Sequence, residues 1–473
     1  MITVRKIIDT INSTIKQKIT EICSDFDFTR LTPELAVKFS QGLQSAINAA
    51  GAAAYGCYIS SFDSDTDVIR HEGRLLRKKG EKVAKTYLTS FGEMTIERSL
   101  YQADRGGKSV IPLEVLWGML EQYATLEVRE AVVFTTAHCT PQETERILNT
   151  CAPFKPSATA IKNIVDGVGR VFVEHKDEIQ QHILSKEDIP CEAKVVAVSM
   201  DGVNIIMREK GTRSRRPAER PGKVVPDEER ESSYKNAMVG SISFYSGERD
   251  RDDSPVRLGS RYVSAMPEHR APDFKHTMER EVAHVLADPS SQSCAKVLLM
   301  DGSRALWKYT QTNRLFDEFT PVIDFYHTTE HLSRAAEALF GKQSTAADSW
   351  YVKLKHKLLH EEDGAAAVLR SIDYFGSTQR LSSTRRKALK AERKFFNRNR
   401  SRMIFAALRE KGIPISSGPV EAACKSIVKC RMCRSGMRWS RDGGQHILNF
   451  RTLIKSDRWN QAWESYQSYA RAA

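Results

Sequence analysis

Apolar runs in the middle of the chain predict β-strands, whereas the regions on either side have the spacing of helices. The predicted strands are residues 194–200, 203–208, 237–245, 261–265, 295–300 and 321–325, and a helical pattern at residues 273–287 separates two of them. Charged residues at 209–235 predict an exposed loop. Strands that alternate with helices in this way predict a mixed α/β core over residues 191–326.

The first 190 residues predict a mainly helical region that carries one β-hairpin. Residues 85–101 alternate around Gly92, as strands joined by a turn do. One helix is predicted to begin at Thr140 with a capping box to Glu143, and the next begins at Ser157. This pair fits a DNA-binding helix-turn-helix with residues 157–168 as the recognition helix, although helix pairs are common in any α-helical domain.

The last third of the chain is predicted to be helical in two parts. Residues 327–411 form one long helical stretch, and residues 412–473 contain a further helix that begins after Ser416. Gly418 is the expected N-cap of that helix, which places Glu421 in its first turn.

Two buried strands each lead directly into an Asp-Gly pair, at Asp201 and at Asp301. Either pair alone is more typical of an ordinary turn. Together they favour an RNase H-like core, in which the first and fourth strands are neighbours and their acids converge. Glu421 is the natural third carboxylate, although an acid in a first helical turn is also favoured by the helix dipole. We expect the three carboxylates within roughly 8 Å of one another, holding two Mg²⁺ or Mn²⁺ ions.

Several segments of the chain resemble bacterial insertion-sequence transposases of the Asp-Asp-Glu class, and most closely the Kra-type families, which are related to the Mutator-like group. The resembling segments are residues 199–202, 299–303, 322–327 with 330–332, and 417–425 through 435–439. The resemblance implies Asp201, Asp301 and Glu421 as the catalytic triad. It also implies an RNase H-like mixed sheet with an all-helical insertion before the last catalytic helix, preceded by the helical DNA-binding region.

Asp324 and His327 match the acid, two residues, histidine pattern that follows the second catalytic Asp in Mutator-like relatives. Metal ligation is one interpretation, with His331 one turn further along the helix. Two histidines and one acid are an incomplete zinc set, so a structural or substrate-positioning role near the site is favoured.

Positive charge is concentrated near the predicted catalytic helix. Lys and Arg number 72 against 59 Asp and Glu, a formal charge of +13. The predicted DNA contacts are Arg385, Arg386, Lys387, Arg393, Lys394, Lys425, Lys429 and Arg431. Interleaved Phe395 and Phe396 strengthen a nucleic-acid interpretation over that of a solvated helix face. The expected partner is double-stranded DNA, bound by a homodimer or higher oligomer.

Composition narrows the class of protein further. No apolar run reaches the 18 residues or so of a membrane span, and nine scattered cysteines do not suggest a secreted disulfide framework. The sequence therefore predicts a cytoplasmic, nucleoid-associated DNA transposase without a membrane partner. The alternatives are a metal-dependent nuclease of the same fold, and a domesticated DNA-binding protein with an inactive core.

Overall fold

A computed structural model describes residues 4–472 except residues 25, 27–28, 104–105, 121 and 209–233. The predicted loop at 209–235 thus lies almost wholly outside the described residues. Two compact units form: residues 1–182 with 459–473, and residues 183–458. No helix in the described ranges combines the length and apolar character needed to cross a membrane.

The first unit is mainly helical, as predicted, but contains more strand than expected. Its elements are α1 (Val4–Ser24), α2 (Pro33–Ser60), β1 (Val68–His71), β2 (Arg74–Lys78), β3 (Val83–Thr89), β4 (Gly92–Arg98), β5 (Tyr101–Gln102), α3 (Pro112–Trp117), α4 (Leu126–His138), α5 (Pro141–Cys151), α6 (Ala158–Glu174) and α7 (Lys176–Leu184), whose end enters the second unit. The predicted hairpin is β3–β4, which turns at Gly92 with φ +102°. The sheet β1–β2–β5 was not predicted, because charged residues in β1 and β2 interrupt the alternation of apolar and polar positions. The turn between β1 and β2 has positive φ at Glu72 and Gly73.

The predicted helix pair is present as α5 and α6. Thr140 and Glu143 form the capping box, and the Ser157 side chain caps α6. Helix α6 buries apolar side chains such as Ile161, while Lys162 and Asn163 are exposed. An exposed polar face is available on residues 157–168, and their reading of DNA bases stays a prediction.

The C-terminal helix, Trp459–Ala472, belongs to the first unit and not with the predicted last part of the core at residues 412–473. Tyr466 stacks on Phe172 with 5.7 Å between ring centroids, and Arg129 donates a hydrogen bond to its hydroxyl. These contacts join the helix to residues more than 280 positions earlier, which no local pattern in the sequence reveals.

The second unit is built on a five-stranded mixed sheet. Its elements are β6 (Val195–Ile206), β7 (Tyr234–Arg249), β8 (Pro255–Ala265), α8 (Pro272–Ala287), β9 (Ala295–Met300), α9 (Arg304–Thr312) and β10 (Thr320–Ile323). The strand order is β10-β9-β6-β7-β8. Strand β7 runs antiparallel to both β6 and β8, whereas β9 runs parallel to both β6 and β10. The first and fourth strands are therefore neighbours, as predicted.

The predicted break between two strands at Asp201, one of the predicted catalytic residues, was wrong. The Asp201-Gly202 pair is not a turn between two strands, because β6 runs through it without interruption. Asp201 pairs with Val239 and Gly202 with Met238 on β7. Pairing along all of β6 outweighs the local preference of Asp-Gly for a turn.

Helices cover the sheet and continue beyond it. They are α10 (Phe325–Phe340), α11 (Thr345–His360), α12 (Gly364–Thr378), α13 (Ser383–Asn399) and α14 (Phe405–Glu410), followed by α15 (Gly418–Ala423), a π-helical turn (Cys424–Lys429), α16 (Cys430–Met432) and α17 (Arg441–Lys455). Helices α10–α14 cover the stretch predicted to be helical and share one core with the sheet. The π-helical turn packs on the later half of β6, where Ile427 and Val203 belong to the same buried cluster.

Candidate active site

Asp201 is held inside a strand and is partly buried. Its Oδ1 accepts a hydrogen bond from the Gly202 backbone nitrogen at 2.6 Å. Burial, followed by the negative charge of Asp301, raises the pKa of Asp201, although the bond from Gly202 opposes this. The charge of Asp301 therefore acts on Asp201, which means that the two carboxylates lie in one neighbourhood.

Asp301 follows β9 directly and is aligned with Asp201. Residues 195–198 of β6 stand opposite residues 295–298 of β9, so each acid comes three residues after the last of these pairs. Neighbouring strands lie about 4.8 Å apart, and residues in register point to the same face. Asp301 Oδ1 accepts from the Ser303 backbone nitrogen at 2.9 Å, and its carbonyl oxygen accepts from Trp307 Nε1 at 2.7 Å. The structure thus brings two of the three predicted acids to one level of the sheet.

Glu421 lies in the first turn of α15, and Ser417 rather than Gly418 is the N-cap residue. Gly418 already has helical conformation because Pro419 presets the first turn, which moves the cap back by one residue. The Glu421 side chain is exposed, and its Oε1 lies 3.2 Å from Ser417 Oγ.

Cys424 connects the Glu421 helix to Asp201. Its buried Sγ lies 3.6 Å from Asp201 Oδ2, one turn after Glu421. Burial, and then the charge of Asp201, raise the pKa of the Cys424 thiol, so this group is a neutral donor at pH 7. Sequence reasoning missed this contact, for which the only signal is the spacing of three residues from Glu421.

The described residues contain no group of three His, Cys, Asp or Glu side chains that could hold a metal ion. The expected convergence of all three carboxylates therefore stays a prediction. Glu330 of α10 is the alternative third carboxylate that the resembling segments contain, and it is exposed. Its Oε2 lies 3.7 Å from His327 Nδ1 and 3.9 Å from Arg334 Nη1.

Asp324 is buried, with 1% of its surface exposed, and joins two helices. Its Oδ1 accepts from the His327 backbone nitrogen at 2.6 Å and caps α10. Its Oδ2 accepts from the Ser417 backbone nitrogen at 2.6 Å and from Ser417 Oγ at 2.9 Å. Because Ser417 also faces Glu421, Asp324 fixes the start of the helix that carries the third acid. This geometry supports the structural role predicted for Asp324.

His327 lies beside the Asp301-Gly302 segment. A side chain at Gly302 would start 3.6 Å from His327 Nε2 and 3.3 Å from Phe395 of α13. Glycine therefore lets the helical insertion approach the second acid closely. Phe395 and Phe396 are buried, so the prediction that they interleave with basic residues at a DNA surface was wrong.

The predicted DNA contacts separate into exposed and engaged side chains. The exposed ones are Arg386, Lys387, Arg393, Lys394, Lys425 and Lys429, of which Arg393 is also engaged. Arg385 donates to the Ala338 and Leu339 carbonyl oxygens at the end of α10, and Arg393 pairs with Asp373. Arg431 is 3% exposed and its guanidinium lies 5.0 Å from the centre of the Trp439 ring. Its assignment as a DNA contact is withdrawn because its side chain is interior.

Comparisons with known proteins give little guidance. No family model matches the chain, and no curated protein matches it. Among solved structures, the chain is similar to the Drosophila P element transposase strand transfer complex, with 11% sequence identity. The similarity covers 74% of this chain and 80% of that chain, with a TM-score of 0.24. Values this low assign neither a fold nor a function.

Proposed function

We propose that this protein is a DNA transposase of the Asp-Asp-Glu class, of the Kra-type insertion-sequence families, that cuts and joins the ends of its element. The observation that carries the proposal is the alignment of Asp201 and Asp301 on neighbouring parallel strands. The strand order supports it, since three antiparallel strands followed by two parallel ones form the core of RNase H-like nucleic-acid enzymes.

The residues present fit a divalent cation in part. Asp201 and Asp301 would supply hard oxygen ligands, and the positive charge of a bound cation would oppose the burial and the repulsion by Asp301 that raise the pKa of Asp201. Glu421 would be the third ligand, on a helix whose next turn already touches Asp201. When bound, Mg²⁺ or Mn²⁺ ions, two per site in this proposal, supply activation of a water or 3′-hydroxyl and stabilisation of the leaving oxygen.

The protein's own groups hold and orient the reacting parts. The Gly202 and Ser303 backbone nitrogens each fix one oxygen of an aspartate, and the Cys424 thiol lies against the second oxygen of Asp201. Asp324 and Ser417 set the direction of the helix that carries Glu421. A Ser or Tyr nucleophile is not required, because water and the 3′-hydroxyl attack the phosphodiester directly.

Double-stranded DNA is the proposed partner, bound by a homodimer or a higher oligomer. Lys425 and Lys429 are exposed on the helical segment that begins at Gly418 and carries Glu421, so phosphates they bind lie near the acids. Exposed Arg386, Lys387 and Lys394 on α13 extend the basic surface.

The test compares Asp201→Asn and Asp301→Asn with Asp317→Asn, an exposed aspartate of the same unit. The substrate is a duplex carrying the inverted repeat that brackets the reading frame. An amide is nearly isosteric with a carboxylate but lacks the charge that holds a divalent cation. We therefore expect the first two variants to bind DNA normally and to lose at least about a hundredfold in cleavage. Asp317→Asn should match the unmodified protein.

Two further observations complete the test. Joining of pre-cut ends to a second duplex distinguishes a transposase from a nuclease that only hydrolyses. Ca²⁺ should support either step poorly, because its looser coordination misplaces the attacking oxygen. If the double Asn variant cuts or joins at the unmodified rate, the proposed function is wrong.

A further inference from the structure

Arg402 comes from the helical insertion and packs on Trp307, the side chain that binds the backbone of the second acid. After α13 the chain makes a 3₁₀ turn, Arg400–Arg402, which brings the Arg402 guanidinium to 4.0 Å from the centre of the Trp307 ring. Trp307 is buried, and its Nε1 donates to the Asp301 carbonyl oxygen at 2.7 Å. One indole therefore contacts both Arg402 and Asp301.

The Arg402 guanidinium is fixed before any substrate binds. Asn399, with no exposed surface, accepts a hydrogen bond from the guanidinium at 2.9 Å and donates one to the Phe395 carbonyl oxygen at 3.1 Å. The Trp307 ring supports the planar face of the guanidinium from one side. A guanidinium held on its face and at one edge presents its remaining N–H groups in a fixed direction.

No carboxylate in the part of the chain that the structure describes pairs with Arg402. Other arginines of this unit do have such partners: Arg370 pairs with Asp363, and Arg393 with Asp373. Burial, followed by the positive charge of Arg398, lowers the pKa of Arg402. A partly buried cation next to a like charge costs stability unless an anion binds to it.

We propose that Arg402 binds a backbone phosphate of the DNA strand that lies beside Asp301. The fork of N–H groups matches two phosphate oxygens, and the position next to Trp307 places that phosphate at the second acid. The inference rests on the proposed function and adds a substrate contact that the helical insertion contributes to the site.

The experiment measures binding and single-turnover cleavage for Arg402→Gln and Arg402→Lys. The matched control is Arg370→Gln, an exposed arginine of the same insertion that already has a carboxylate partner. Binding to the inverted-repeat duplex is followed by fluorescence anisotropy in EDTA between 50 and 300 mM NaCl. Cleavage is followed in Mg²⁺, with Asp301→Asn as the inactive reference.

We expect Arg402→Gln to bind about tenfold more weakly and its salt slope to fall by about one, as for the loss of one phosphate contact. Cleavage should fall about a hundredfold, because the fixed donors act on charge that develops at the phosphate. The affinity and cleavage rate of Arg402→Lys should lie between those of the unmodified protein and Arg402→Gln, because lysine keeps the charge but lacks the forked pair of N–H groups. Arg370→Gln should be unchanged.

A second measurement changes the DNA instead of the protein, and compares the unmodified protein with Arg402→Gln. Duplexes with a single neutral methylphosphonate are compared at each position around the cut. One position should weaken binding to the unmodified protein but not further weaken binding to Arg402→Gln. The inference is wrong if no position gives this result. It is also wrong, while the proposed function stands, if Arg402→Gln binds and cleaves DNA like Arg370→Gln and Asp301→Asn is inactive. If the unmodified protein shows no metal-dependent cleavage, both are withdrawn.

Discussion

At the scale of single residues, Asp324 has the most demanding environment near the site. Three donors converge on its carboxylate, and it is almost fully buried. A buried carboxylate is stable only while its hydrogen bonds are complete. The bond from Ser417 Oγ is one of three, so removal of that hydroxyl leaves most of the arrangement intact.

We predict that Asp324→Asn lowers the free energy of unfolding by about 2–4 kcal/mol, because its amide group turns one acceptor into a donor that faces N–H groups. Ser417→Ala should cost only about 1 kcal/mol, since the backbone N–H remains. Urea unfolding at pH 7 measures both. Equal losses for the two variants would mean that the Asp324 carboxylate does not hold the two helices.

His331 predicts a pH dependence of stability. Its ring stacks on Phe395 at 3.4 Å, and its Nδ1 lies 2.5 Å from a Glu392 oxygen. Burial lowers the pKa of His331 below its ordinary 6.5, although Glu392 opposes the shift. A base with a lowered pKa in the folded state contributes stability above pH 6.5 that is lost as the pH falls through the folded pKa.

The melting temperature should therefore fall between pH 7.5 and 5 more steeply in the unmodified protein than in His331→Asn. The control is His269→Asn, at an exposed histidine of the same unit, which should follow the unmodified curve. Parallel curves for all three proteins would remove His331 as a source of the pH dependence.

Residue types in the sequence were enough to select Asp201 and Asp301, because a carboxylate after a buried strand is visible without a structure. Ser417, Cys424 and Arg402 were not selected. Their roles depend on partners 93 residues away for Ser417 and 223 residues away for Cys424, and on a ring contact for Arg402. Long-range contacts of this kind leave no local pattern.

At the scale of elements, the return of the chain from the insertion to the sheet depends on a close backbone approach. Gly412 follows α14 with φ +68°, and a side chain there would collide with the Gly247 carbonyl oxygen at the end of β7. Gly436 has a similar φ of +75°, but apart from its two chain neighbours no atom of the described residues lies within 4 Å of its side-chain position.

The two glycines form a matched pair. Gly436→Ala should cost about 1 kcal/mol, which is the strain of positive φ alone. Gly412→Ala should cost roughly 3 kcal/mol or more, because the backbone of β7 must also move. Chemical unfolding of the two variants measures the loss in the free energy of unfolding for each. Similar losses would mean that the backbone at Gly247 moves away without a cost in stability.

Element boundaries followed from the sequence where local signals and packing agree. Residues 295–300 form β9 as predicted, and the capping box starts α5. The break predicted at Asp201 is absent because β7 pairs with β6 across it, and the π-helical turn at Cys424–Lys429 has no local signature. Pairing and packing between distant segments decided both.

At the scale of the whole molecule, the excess of positive charge can attract DNA phosphates only where basic side chains are exposed and not paired with a carboxylate. Helix α13 presents Arg386, Lys387 and Lys394 to solvent, whereas Arg385 caps α10. Exposed cations that neutralise phosphates release counterions, and this release makes affinity depend on salt.

Replacing Arg386, Lys387 and Lys394 together with Gln should reduce the slope of log affinity against log salt by about two to three units. Arg385→Gln, the control, should leave the slope unchanged but lower the melting temperature, because it removes the cap of α10. Anisotropy titrations with any duplex measure the slope. An unchanged slope in the triple variant would make α13 a solvated surface only.

The central claim is that Asp201 and Asp301, with Glu421, bind divalent cations at one site, and metal-directed cleavage of the protein tests it most directly. Fe²⁺ accepts the same oxygen ligands, and with ascorbate and peroxide it cuts the polypeptide close to where it is bound. We predict fragments that end near Asp201, Asp301 and Glu421, competed away by Mg²⁺. The fragments should be lost in the Asp201→Asn, Asp301→Asn double variant and retained in Asp317→Asn. Unchanged fragments in the double variant, or cuts only elsewhere in the chain, would contradict the claim.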